Sequence, residues 1–276
     1  MHVFDTPGSV SLQIELPSGR VVVATADEPR TTVEVVPVGR RGSDAVDDVL
    51  VTCDERGGRH VVRVERRDGI RWGPIQISWG ADVEVRIACP AGASLELSGG
   101  STDLRVDGEL GEVSARTASG DVRLGTVRER LEVKTASGDV SVGRVAAEAS
   151  IVTVSGDLEL ERLEGEVTAR TVSGDATVGS LSAPLTLSTT SGDAVVRRLD
   201  GGGLRVQTVS GDVRIGVGRG TPVWIDAASV SGKLESELDL EESEPTADPG
   251  RAVVPVHVKT VSGDVAIVRA AEALAS

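Results

Sequence analysis

The hexamer TASGDV at residues 117–122 returns as TASGDV at 135, TVSGDL at 153, TVSGDA at 171, TTSGDA at 189, TVSGDV at 208 and TVSGDV at 260. Ser-Gly-Asp thus begins at Ser119, Ser137, Ser155, Ser173, Ser191, Ser210 and Ser262, with a Ser-Gly-Lys variant at Ser231. The spacing is even from Ser119 to Ser191 and then widens, most of all between Ser231 and Ser262. A catalytic motif needs one copy, whereas an architectural motif is needed once per structural unit. A period of about 18 residues is too short for helix-pair repeats and matches one coil of a β-solenoid, in which each repeat adds a rung to parallel sheets.

The pattern inside one repeat agrees. In SGDVRLGTVRERLEVKTA, Val122 and Leu124 alternate with Asp121 and Arg123, and Leu131, Val133 and Thr135 alternate with Glu132 and Lys134. This period-2 alternation marks strands with one buried face. Later coils place Val140 and Val142, Leu158 and Leu160, and Val213 and Ile215 at the inward positions of the first strand. Val167 and Ala169, Leu185 and Leu187, and Leu204 and Val206 take those of the second. The left-handed hexapeptide helix uses coils of the same length but needs a small apolar residue at every sixth position, and Arg128 stands six after Val122. That disfavours the left-handed form, and parallel crossovers are usually right-handed, but the residues alone leave the handedness open; the expected class is all-β, a parallel β-solenoid.

The corner residues have structural roles by type. Gly120, Gly138, Gly156, Gly174, Gly192 and Gly211 are expected to supply the positive φ of a tight corner. Asp121, Asp139, Asp157, Asp175, Asp193 and Asp212 are expected to accept a backbone N–H as Asx-turns. The preceding threonines, from Thr117 to Thr260, form a second ladder that is expected to pass hydrogen bonds from rung to rung.

Composition narrows the function classes. The 276 residues include one Phe, three Trp and no Tyr, so the core is aliphatic and an aromatic-lined ligand pocket fits poorly. A formal net charge of -14, with no basic stripe, argues against a nucleic-acid partner. No apolar run comes near the length needed to cross a bilayer, which predicts no membrane span. The start MHVFDTP lacks a basic n-region and an apolar core, which makes the cytoplasm the default location. Cys53 and Cys89 are expected as buried thiols.

The expected division is a β-rich N-terminal cap or sandwich-like region over residues 1–98, followed by the solenoid over 99–276. SVSLQIELPSGRVVVAT reads either as a hairpin turning at Pro17–Gly19 or as two early rungs. The acidic, Pro-containing stretch 237–251 interrupts the repeat as a protruding loop, and VVPVHVKTVSGDVAIVRA resumes it as the last rung. Trp224, in TPVWIDAASV, is expected to pack inward on a terminal coil.

The recurring T-[VA]-S-G-D-[VLA], the segment VRIACPAGASLEL and the closing VHVKTVSGDVAIVRA resemble bacterial DUF4097 proteins, a β-strand-repeat family labelled putative adhesins. The resemblance covers roughly residues 10 to 270. It implies a right-handed, β-helix-like stack without a recognised enzyme activity, and it transfers no catalytic residue.

Several candidates for chemistry remain to be weighed. Rungs about 4.8 Å apart bring the Asp ladder within reach of a shared Ca²⁺, which takes six to eight oxygens, but each corner offers a single carboxylate. Corner structure is therefore the stronger reading. Outward residues such as Arg116, Lys134, Arg170 and Gln207 form no evident acid pair of the kind a carbohydrate-acting β-helix needs. His2, His60 and His257 lack metal spacing, and the Ser-Gly-Asp serines lack both GxSxG and a recurring His. Gly201–Gly203 lacks the Lys-Ser/Thr of a phosphate loop and reads as a bulged corner. Within RRDGIRWGPIQISWG, residues 66–80, Trp72 and Trp79 stand beside Arg71 in an otherwise acidic chain. Exposed Trp and Arg are typical interface anchors, and the two rings serve equally well as a cover for the end of the aliphatic core, since a capping lid and a partner surface can coincide. The sequence thus points to a non-enzymatic scaffold, without cofactor or metal, that meets a protein partner through Arg71, Trp72 and Trp79. An exported surface adhesin is the second reading and a carbohydrate-active enzyme the third.

Overall fold

The computed structural model describes residues 1–38, 46–66, 71–72, 75–76, 83–238 and 253–270, with 71–72 and 75–76 described by backbone alone. The chain is all-β, with mostly parallel strands wound into a β-helix-like coil. It divides into two compact units, Met1–Gly138 and Asp139–Ser276. The first unit holds the N-terminal β-rich segment together with the earliest Ser-Gly-Asp coils.

In the first unit, Ser9–Ala26 is one continuous strand that buries Val10, Leu12, Ile14 and Leu16, then Val21 and Val23. On one side it runs parallel to Ser94–Ser119, with Leu12 opposite Leu95 and Val21 opposite Leu104. On its other side lie Arg59–Arg66 and Val83–Pro90, also parallel, with Leu12 opposite Val62 and Val21 opposite Val85. SVSLQIELPSGRVVVAT is therefore a single rung with a corner at Pro17–Gly19. The hairpin reading is overturned because the two halves pair with neighbouring rungs rather than with each other. Antiparallel strands cover the rung beyond: Val49–Arg56 on Arg59–Arg66, and Arg30–Pro37 on Val83–Pro90, with His2–Asp5 on Arg30–Pro37. Such a cover pairs the N–H and C=O groups of a rung that would otherwise be a free edge.

The period of the repeat is visible as register. Val122–Ser137 pairs with Ser94–Ser119 so that Val122 faces Leu104, Leu131 faces Val113 and Thr135 faces Thr117. In the second unit Val140, Leu158, Ala176, Ala194, Val213 and Val265 form one inward column. Ala149, Val167, Leu185, Leu204 and Val256 form another. The sequence reading omitted a third column, Val145, Leu163, Leu181 and Leu199, each fully buried at the corner opposite Ser-Gly-Asp. Its members fall an odd number of positions after the first inward residue of each coil, so a search at every second or sixth position misses them. The buried hydrophobic core is aliphatic apart from Cys89.

Chain order and rung order differ at the end of the second unit. Gly203–Gln207 pairs not with the next strand in sequence but with Val254–Ser262, and Val254–Ser262 pairs in turn with Val223–Ser231. Likewise Val213–Val217 pairs with Val265–Arg269, which pairs with Leu234–Ser236. The segment expected as the last rung is thus the penultimate one, and residues 223–236 form the outermost. Burial follows this order: Val256, Val258 and Val265 are buried, whereas Val223, Ile225 and Ala227 are only half-buried. Trp224 points to the outer face rather than inward, since the half-buried residues of its strand are the odd-numbered ones. Its ring meets His257 edge-on at 5.3 Å. Of the stretch 237–251, only Glu237 and Leu238 lie within the described residues.

Candidate functional site: the Ser-Gly-Asp edge

Each Ser-Gly-Asp corner is built against the rung beside it. The glycine has two separate reasons to be glycine. Gly138, Gly156, Gly174, Gly192 and Gly211 have φ between +128° and +145°, as predicted by sign. Gly120 does not have positive φ, which corrects the expectation there. It is required instead by approach: a Cβ on Gly120 would overlap the Thr102 carbonyl, just as one on Gly174 would overlap the Gly156 carbonyl. Backbone is stacked directly on backbone at this edge, and only hydrogen fits between.

The aspartates do not form local Asx-turns. Asp103, Asp139, Asp157, Asp175, Asp193, Asp212 and Asp264 each reach to the next rung, where the carboxylate accepts a backbone N–H. In the first unit Asp103 Oδ1 accepts from Asp121 N at 3.1 Å. In the second, Asp139 accepts from Asp157 and Asp157 from Asp175, both at 2.9 Å. Asp175 accepts from Asp193, Asp193 from Asp212 and Asp212 from Asp264, each at 2.8 Å. The last link is Lys233 N–H to Asp264 at 2.7 Å. The ladder therefore follows rung order, not chain order. It also explains the variant: the outermost rung has no further N–H to receive, and Lys233 stands where an acceptor has no use.

Side chains one coil apart satisfy one another here because a charged acceptor on each rung meets a fixed donor on the next. Like charges about 4.8 Å apart in water repel by roughly 1 kcal/mol. A hydrogen bond to a charged group contributes about 1.5–3 kcal/mol and outweighs that repulsion.

The threonine ladder is buried but does not pass hydrogen bonds along the rungs as expected, except at the start. Thr117 Oγ1 donates to Gly100 O at 3.2 Å, across rungs. Thr135, Thr153 and Thr171 instead donate to the Ser carbonyl of their own corner, at 3.2, 3.3 and 3.2 Å. The hydroxyls of Thr189, Thr208 and Thr260 are buried without a partner.

Between Thr and Ser the edge exposes an apolar row. Val154, Val172, Val209 and Val261 are 48, 47, 50 and 50 % exposed on successive or near-successive rungs, with Thr190 completing the column. Parallel bridges through Ser155, Ser173, Ser191, Ser210 and Ser262 hold the column in register. An exposed serine row and an exposed aspartate row flank it.

The first unit carries a groove of about 500 Å³ on the same kind of edge, lined by Arg20, Glu84, Asp103 and Asp121 among others. Its carboxylates are engaged. Glu84 is 2.6 Å from Arg86 and 4.0 Å from Arg20, Asp103 is 3.6 Å from Arg20, and Asp121 is 3.0 Å from Arg123. A general acid needs a carboxyl kept protonated by apolar surroundings, and this groove holds carboxylates against cations instead.

Of the predicted partner residues, Arg71 and Trp72 lie on a short strand paired antiparallel with Ile75–Gln76. Trp79 lies outside the described residues. Glu65 and Glu84, on the strands either side of these residues in sequence, pair with Glu15 and Arg20. Gly202 has φ +82° and would overlap Ala183 with a Cβ, in keeping with a bulged corner at Gly201–Gly203. His60 Nε2 is 3.2 Å from Pro7 O, and His257 Nδ1 is 3.3 Å from Asp226 Oδ2. Among the described residues no group of three or more His, Cys, Asp or Glu is placed to hold a metal ion. Cys89 is buried and free, its thiol pushed up to about 12 by burial. Cys53 is half-buried and free, raised by burial and by Asp54.

The sequence model of the Toastrack DUF4097 family matches residues 10–268, the whole run of parallel rungs. The chain belongs to that family. Two solved structures are similar to this Toastrack chain. A protein described as a putative adhesin, from Bacteroides fragilis NCTC 9343, is 12 % identical, with 96 % of this chain and 95 % of that one covered at a TM-score of 0.40. One described as a putative cell adhesion protein, from Clostridium sporogenes ATCC 15579, is 10 % identical, with 97 % and 98 % covered at a TM-score of 0.24. No curated protein matches the chain. Among the described residues no helix is long and apolar enough to cross a membrane.

Proposed function

We propose that this Toastrack protein is a non-enzymatic scaffold whose Ser-Gly-Asp edge binds a protein partner. The exposed valine column carries the reading. The corner requires Gly and Asp for the reasons given above, but it places no demand on the residue between Thr and Ser: Ala118, Ala136 and Thr190 stand there in other coils. Four half-exposed valines in one file therefore cost solvent exposure that the fold does not need, and ordered apolar rows rimmed by polar ones mark interaction surfaces. The flanking aspartates favour a partner with cationic side chains beside its apolar contacts.

Arg71 and Trp72 are a second contact in this reading, because they are the residue types of interface anchors in an otherwise acidic chain. Photo-crosslinking residues placed at Val172, Val209 and Trp72, with Thr177 as a control, test the proposal in the source cells. The expected result is one partner adduct shared by Val172 and Val209, a Trp72 adduct to the same partner, and none from Thr177. Equal labelling from Thr177 overturns the edge as the site. Protease accessibility of the protein on intact cells separates an intracellular scaffold from an exported adhesin.

A further inference from the structure

We propose that the outermost rung of the second unit, residues 223–236, is a self-complementary docking surface through which two copies of this chain pair as a two-fold dimer. Three observations show that, among the described residues, no further strand covers this rung. Val230 is the counterpart of Val209 and Val261 in the exposed column, yet it is 83 % exposed where they are 50 %. Those two have a rung on either side, so the excess is what one absent neighbour would cover. Leu234 stands opposite Val265 in an inward column, and Val265 is buried while Leu234 is 53 % exposed. Finally, Val223–Ser231 pairs with Val254–Ser262 alone among the described residues, although an unpaired strand edge is a template for another strand.

The occupant follows from what the surface asks for. A cover must offer strand edges to Val223–Ser231 and Leu234–Ser236 together, with an apolar end between them for Leu234, and the same rung of a second copy offers all of these. A head-to-tail stack would continue the aspartate ladder, but Lys233 offers no carboxylate to a following rung, so parallel continuation lacks its hydrogen bond. Head-to-head pairing needs none. Run antiparallel about Ala227, Val223–Ser231 sets Trp224 opposite Val230 and its single charge, Asp226, opposite Ala228, so no like charges meet within the strand even though the chain carries a formal -14. Such an isologous contact closes on itself and ends at two chains.

Sedimentation velocity and light scattering on the full chain between about 5 and about 500 µM test this, since a dimer population must rise with protomer concentration. The expected result is a mass rising from the 28.5 kDa monomer toward twice that value. Val230→Glu sets a carboxylate against Trp224 of the second copy and diagonal to its Asp226, Leu234→Glu puts a charge into the apolar end of the contact, and dimerisation is expected to weaken at least tenfold in one or both variants, with unchanged circular dichroism. Val230→Glu lies on an exposed position and keeps the test valid if Leu234→Glu disturbs the coil. A wild-type chain that stays monomeric throughout, or a dimer weakened in neither variant, overturns the proposal.

Discussion

Two threonines that look alike in sequence have opposite roles in stability. Thr171 Oγ1 donates to the Ser173 carbonyl at 3.2 Å, whereas the Thr208 hydroxyl is buried without a partner. A buried unpaired hydroxyl costs about 1–3 kcal/mol, and replacing it by an apolar group of the same shape recovers part of that. Thr208→Val is therefore expected to raise the unfolding free energy by about 0.5–1.5 kcal/mol, and Thr171→Val to lower it by about 0.5–1.5 kcal/mol. Urea titration of both variants decides: shifts of the same sign would show that the hydroxyl pairing does not set the difference. The corner was legible at this scale by residue type. Gly and Asp were assigned to a turn and Thr to a ladder beside it, and five of the six named glycines have the predicted sign of φ. The direction of the bonds was not legible, because Asx-turns are local and can be read from one coil. The acceptor used by Asp175 N–H belongs to Asp157, a full coil earlier, and becomes visible only once rungs are aligned.

At the scale of the element, the aspartate ladder within each unit is a one-dimensional chain of links in which each rung supplies an acceptor and consumes a donor. Its ends need only half a link. Lys233 ends it at one extreme, donating its N–H to Asp264 while its side chain accepts nothing. In the first unit Arg20 stands opposite Asp103, the position an aspartate would fill, and approaches that carboxylate at 3.6 Å instead. The sequence showed Ser-Gly-Lys as a mere variant and left Ser18-Gly19-Arg20 unremarked, yet both are signals that a rung has a neighbour on one side only in the ladder. The asymmetry is testable. Asp212→Ala removes the acceptor of Asp264 N–H and is expected to cost about 1–2 kcal/mol, the lower part of the range for a hydrogen bond to a charged group because the site is exposed. Lys233→Ala removes no acceptor and is expected to stay within about 0.5 kcal/mol of wild type. Equal losses in thermal or chemical melts would mean that the ladder contributes through charge rather than through its hydrogen bonds.

For the whole molecule, the sequence made the architecture and the period plain but misplaced the final rung, and the reason is physical. Repetition specifies what a rung looks like, and it is silent on which rung sits beside which. Near-identical rungs can exchange places when the linker between them is long enough, and the widened spacings from Ser210 to Ser231 and from Ser231 to Ser262 supply that length. Burial then selects the order. VPVHVKTVSGDVAIV carries apolar residues at every inward position and an aspartate for the ladder, so it gains most from neighbours on both sides. VWIDAASVSGKLES lacks the aspartate and loses least at the open end.

In a stack stabilised by nearest-neighbour contacts, removing an interior rung also strips the one beyond it. Deleting residues 254–276 is therefore expected to unfold two rungs, not one: Val223–Ser231 loses the strand it pairs with, and Gly203–Gln207 becomes the new edge. Native-state hydrogen exchange reads this directly. Amide protection across 223–231 should fall at least tenfold in the truncated chain while 167–188 stays protected, since local opening follows lost neighbours rather than position in sequence. If 223–231 kept its protection, the rung would have to pair with Gly203–Gln207 in chain order, and the exchange of places that accounts for Lys233, Val230 and Leu234 together would be refuted.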